Sequence, residues 1–160
     1  MFNYTFTDLK GHSHSSAFVE LEKTNCDGKV KYLVSDDHHL TYEVNHMEYV
    51  HLVQLNKHFH TYVVLLDDTD NDENYYTVTC PDVLGVVTEG ANTIMALRNA
   101  QEALEAILYD FDAENRPLPK VHTIDEVKDR LDIEFNPKHM KLYYVTANMA
   151  NAAKIWWPVK

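Results

Sequence analysis

Histidine and carboxylate are the side chains whose number and spacing in this sequence could do chemistry. Ten histidines occur in 160 residues, six of them in close pairs: His12/His14, His38/His39 and His58/His60. Two residues apart on a strand, such a pair faces one side and could share a metal ion. Ten imidazoles titrating near neutrality would also make a pH-sensitive surface. No third ligand can be identified by spacing, so solvated histidines are expected. Asp67, Asp68, Asp70, Asp72 and Glu73 loosely resemble a calcium loop. Counted from Asp67, however, the sixth and twelfth positions hold Asp72 and Val78 where glycine and glutamate are required, and a solvated loop is expected instead. Cys26 and Cys80 form no CxxC and have no histidine paired by spacing, so reduced thiols are expected. No serine sits in a Gly-x-Ser-x-Gly elbow. These absences lead us to expect no catalytic residue, no resident metal and no cofactor. A metal-dependent hydrolase built on the histidine-rich N-terminal region is the least favoured reading.

Positioning these groups falls to elements that the patterning predicts. Residues 17–23 and 29–34 alternate apolar and polar around the turn Thr24 to Gly28, which reads as a hairpin. Residues 40–44 alternate again. Residues 46–58 are ambiguous: Asn45 with Glu48 would make a helix capping box, while Tyr49, His51, Val53 and Leu55 alternate like a strand. Residues 61–66 and 75–80 read as strands, the second ended by Pro81, which has no N–H for the ladder. Residues 86–88 form a short strand between Gly85 and Gly90. The clearest element is a helix over about 92–113, with Asn92 as N-cap and Leu97, Ala100, Leu104, Ile107, Leu108 and Phe111 as one apolar stripe. Pro117 and Pro119 are expected to stop it. Thr123 with Glu126 predicts a second capping box and a short helix to about 131, and residues 140–147 a last strand. Trp156 and Trp157 are expected to pack on the core.

The net charge of −11 is unevenly spread. Residues 61–120 hold 3 Lys/Arg against 12 Asp/Glu, whereas residues 121–160 hold 6 against 5. Such a surface repels phosphate backbones and attracts basic proteins. No apolar run approaches the roughly 20 residues of a membrane span, and the first residues lack the pattern of a signal peptide, so a cytoplasmic protein is expected.

The order strand, acidic loop, strand, Pro-Asp, Gly, Thr-x-Gly, helix, Pro-x-Pro resembles the core of the HicB-like antitoxin family over about residues 60–120. The segment Cys80 to Gly90 is similar to the family's Pro-Asp-x-x-Gly-x-x-Thr-x-Gly signature through Pro81, Asp82, Gly85, Thr88 and Gly90, with Asn92 opening the matching helix. Val83-Leu84 stands where the family commonly has Leu-Pro. The resemblance implies a partial RNase H-like fold and a partner of HicA type, a small basic toxin that cleaves mRNA. It implies binding through acids on or beside the long helix: Glu102, Glu105, Asp110, Asp112 and Glu114, with Tyr75 and Tyr76 beside them. Family members commonly carry a C-terminal DNA-binding unit; too few residues follow the last strand for one, so direct nucleic-acid binding is not expected.

The expected fold is α+β, an antiparallel-rich sheet with one long helix packed on a face. Residues 1–58 are read as an N-terminal β-rich extension and 59–160 as the HicB-like domain with a short C-terminal helix and strand. The expected function is that of an antitoxin-like protein, not an enzyme, that masks its toxin. The alternative is an orphan HicB-like module that binds another protein. An exposed sheet edge would also allow a homodimer.

Overall fold

A computed structural model describes residues 2–72 and 74–150. The chain divides into two compact units, Met1–His60 and Thr61–Lys160. The fold is α+β with antiparallel sheets.

The first unit opens with a hairpin that the alternation pattern did not predict, β1 (Tyr4–Thr7) and β2 (Ser13–Ser16). A three-stranded antiparallel sheet follows, built from β3 (Glu20–Cys26), β4 (Lys29–Ser35) and β5 (Thr41–Val44) in that order. The predicted first strand starts three residues late. Ala17, Phe18 and Val19 are buried but irregular, because Asp37 accepts the Ala17 N–H and Ser16 Oγ accepts the Asp37 N–H. Residues 46–58 resolve as helix α1 (His46–His58). Asn45 caps it by accepting the Glu48 N–H at 2.8 Å, but the box is only half made: Glu48 Oε1 accepts from Thr7 N instead. Tyr4, Phe6, Val19, Val34, Val44 and Leu52 form this unit's core.

The second unit is built on β6 (Phe59–Asp67), the most apolar strand, with Thr61 to Leu66 all buried. β7 (Tyr76–Thr79) pairs with it and β8 (Val87–Gly90) pairs with β7, both antiparallel. Helix α2 (Thr93–Ala113) follows, then the single-turn helix α3 (Ile124–Asp129) and β9 (Met140–Asn148). The sheet order is β8-β7-β6-β9. The Thr61–Thr146 hydroxyl contact and the Asp68 N–H bond to His139 O lie at opposite ends of β6, so β9 runs antiparallel to it. The α2 stripe of Ala96, Ala100, Leu104 and Leu108 packs with Tyr62, Val64, Leu66, Val78 and Val145 in the core. The strand alternation puts these residues on one sheet face.

Local chemistry sets the ends of α2. Asn92 Oδ1 accepts the Met95 N–H at 2.9 Å. The C-terminus stops before Pro117. Asn115 takes a left-handed conformation (φ 53°), its N–H reaching Asp112 O and the Arg116 N–H reaching Phe111 O. That pair of bonds is a Schellman motif. The Arg116 guanidinium sits 4.1 Å from the Phe111 ring centroid, which covers the helix end. Thr123 and Glu126 complete the predicted capping box of α3.

Candidate protein-binding site

Helix α2 carries no basic residue in its last turn, although Asp110 and Asp112 lie there and Glu114 is its C-cap. Acids at a helix C-terminus face the negative end of the dipole, at about 0.3–1 kcal/mol each when exposed. All three are exposed, as is Glu102 further up the helix. Arg116 Nε pairs with Glu114 at 2.8 Å and offsets one charge. Asp110 and Asp112 have no such partner among the described residues.

Two of the residues predicted for this surface are withdrawn from it. Glu105 is 2% exposed; its Oε2 accepts the Asn148 N–H at 2.7 Å and holds the end of β9 to the helix. Burial raises its pKa, opposed by the bonds from Asn148 and Gln101. Tyr76 is 2% exposed and belongs to the core. Its neighbour Tyr75, just before β7, stays exposed, and the Glu89 carboxylate raises its pKa. The surface acids are therefore Glu102, Asp110, Asp112 and Glu114.

The signature residues make the frame that carries this helix. Asp82 Oδ1 bonds His122 Nδ1 at 2.8 Å and Oδ2 accepts the His122 N–H at 3.1 Å. Arg130 then donates to His122 Nε2 at 2.6 Å. A guanidinium only donates, so this network calls for the neutral ring with its proton on Nδ1. Asp82 thereby ties the turn after β7 to the segment before α3. Gly85 adopts φ +96°. Gly90 has no room for a side chain, since a Cβ there would lie 2.8 Å from the Met95 carbonyl carbon and nearer still to Ala96. Thr88 faces Val78 across the β7–β8 pair.

The Asp–His pairings escape sequence reading because spacing does not reveal them. Besides Asp82–His122, Asp68 bonds His139 Nδ1 at 2.8 Å and Asp8 bonds His14 Nε2 at 2.8 Å. Asp68 is thus buried, not solvated as expected for its loop, and its pKa is lowered by His139. Asp8 also accepts the backbone N–H groups of Lys10 and His12, and these bonds, His14 foremost, bring its pKa to about 2. Among the described residues no three His, Cys, Asp or Glu gather as a metal site. Both cysteines are free, Cys26 exposed and Cys80 buried. Burial pushes the Cys80 thiol up to about 12, so it holds no thiolate at neutral pH. Glu73, Trp156 and Trp157 lie outside the described residues. No helix among those described is long and apolar enough to cross a membrane.

No protein-family model matches the chain, and the comparison with curated proteins gave no match either. Among solved structures, a chain of a toxin–antitoxin complex from Streptococcus pneumoniae is similar, with a TM-score of 0.50 and 24% identity over 64% of this chain and 78% of that one. At that identity the likeness establishes a shared fold.

Proposed function

We propose that this protein is an antitoxin: it binds a small basic toxin of HicA type, an mRNA-cleaving enzyme, and masks it without chemistry of its own. The acidic C-terminal end of α2 carries the reading. It is exposed, unfavourable to its own helix, and complementary in charge to a protein whose substrate is a polyanion. The fold shared with a chain of a toxin–antitoxin complex and the ordered Pro81-to-Asn92 signature support it. The Asp–His pairs serve as ties between segments, which fits a binding protein better than a catalyst.

The test is a pull-down from the source cell with the whole chain, at low and moderate salt, repeated with the double variant Asp110→Lys/Asp112→Lys. The expected catch is a small basic protein, held about tenfold or more weakly by the variant. The variant itself should fold as well as wild type or better, because the new charges suit the helix dipole by about 0.3–1 kcal/mol each. Failure to recover such a protein with a folded bait, or equal retention by the variant, would sink the reading. Capture of a different partner through the same acids would favour the orphan protein-binding module.

A further inference from the structure

A recess of about 440 Å³ opens beside the ends of the second unit's central strands, where β6 finishes and β7 and β9 begin. Among the described residues its charged lining consists of Lys138, Lys141, His139 and a single carboxylate, Asp68. That carboxylate is turned inward. It is 9% exposed, its Oδ1 takes His139 Nδ1 at 2.8 Å, and its Oδ2 accepts the Asn74 N–H at 3.3 Å. The lysines make no ion pair with any described residue. Lys141 lies beside Tyr76, with its Nζ 5.4 Å from the ring centroid. The Tyr76 hydroxyl donates its one proton to Asn74 Oδ1 at 3.3 Å. Nδ1 of His139 is committed to Asp68, which leaves Nε2 as the free nitrogen of a ring 43% exposed.

Two ammonium groups against one carboxylate leave the described lining net positive even with His139 uncharged. This is opposite to the rest of the second unit's strands and long helix. The acids at the end of α2 do not cancel it. Tyr62, near the start of β6, bonds Pro119 just beyond that helix, whereas Asp68 lies past the other end of the strand. Six residues of strand at about 3.3 Å each separate them by roughly 20 Å, beyond the Debye length of about 8 Å.

We propose that this recess binds a small phosphate monoester, its dianion received by Lys138, Lys141 and the free edge of His139. Compact ammonium charges suit a phosphate group. The volume lies within the roughly 300–1,000 Å³ of ligand sites and exceeds what a bare phosphate needs, leaving space for the ester's organic group. Lys138 and Lys141 are the two lysines of the described lining, and one dianion engages both, which leaves no ammonium for the further phosphates of a nucleic-acid strand, so the ligand is a free small ester.

Isothermal titration of the whole chain tests this with three probes: inorganic phosphate, ribose 5-phosphate and a 5′-phosphorylated oligoribonucleotide. The sugar phosphate should saturate one site, inorganic phosphate should bind there more weakly, and the oligonucleotide should give no heat at moderate salt. Lys138→Ala, at an exposed position that supports no fold contact, should weaken sugar phosphate about tenfold, and Lys138→Ala/Lys141→Ala should abolish it. Absence of saturable heat, unchanged affinity in Lys138→Ala with its circular dichroism intact, or tightest binding by the oligonucleotide would each overturn the proposal.

Discussion

Glu105 lies on the long helix at a spacing that suggests a surface acid, yet it is 2% exposed because Asn148, 43 residues later, donates to it. Removing the acceptor leaves a buried N–H unpaired, so Glu105→Ala should cost about 1–3 kcal/mol in chemical denaturation. Glu105→Gln keeps an oxygen for Asn148 and sheds the buried charge, so it should be neutral or stabilising. The pH dependence follows from the raised pKa: burial disfavours the charged form, so this site's contribution is largest below the ordinary glutamate range and declines as pH rises through the folded pKa. Glu105→Gln should remove that decline, and an equal slope in both proteins would refute the account. At this scale the sequence was least legible. Asp82, Asp68 and Tyr76 owe their roles to partners 40, 71 and 65 residues away, which no local pattern encodes.

Elements were readable wherever their ends are set locally. Asn92 caps α2 and Thr123 with Glu126 caps α3, each through contacts within three residues. Helix α1 was ambiguous because only Leu52 is fully buried along it and its capping box is half made. β2 went unseen because Ser13-His14-Ser15-Ser16 has no apolar alternation at all. The stop of α2 at Ala113 fell where expected, but the residue that closes it is a left-handed Asn115, which no sequence pattern marks, ahead of the visible prolines. The junction of β8 and α2 gives the sharpest prediction. Gly90→Ala would press a methyl group into the Met95–Ala96 backbone, which has no side-chain end to yield. The expected loss is about 3 kcal/mol, read as a lower denaturation midpoint. A midpoint within experimental error of wild type would show that the helix start can shift.

For the whole molecule, the sequence conveyed the α+β class, the β3–β4 hairpin and the order of elements from β3 on apart from the ambiguous α1, but not the strand order of the second unit's sheet. β6 has both faces buried and a paired strand on each edge, β7 and β9. Amides of residues 61–66 should therefore be the slowest to exchange with deuterium, at rates set by global unfolding. Rapid exchange in β6 would mean that β9 detaches on its own. The pairing also has a temporal side. Thr61 and Thr146 are 85 residues apart, and at about 5–20 residues per second a ribosome needs roughly 4–17 s to deliver the second after the first. During that interval the most apolar strand of the nascent chain stands with one edge bare, and it is then that the protein has most need of a chaperone.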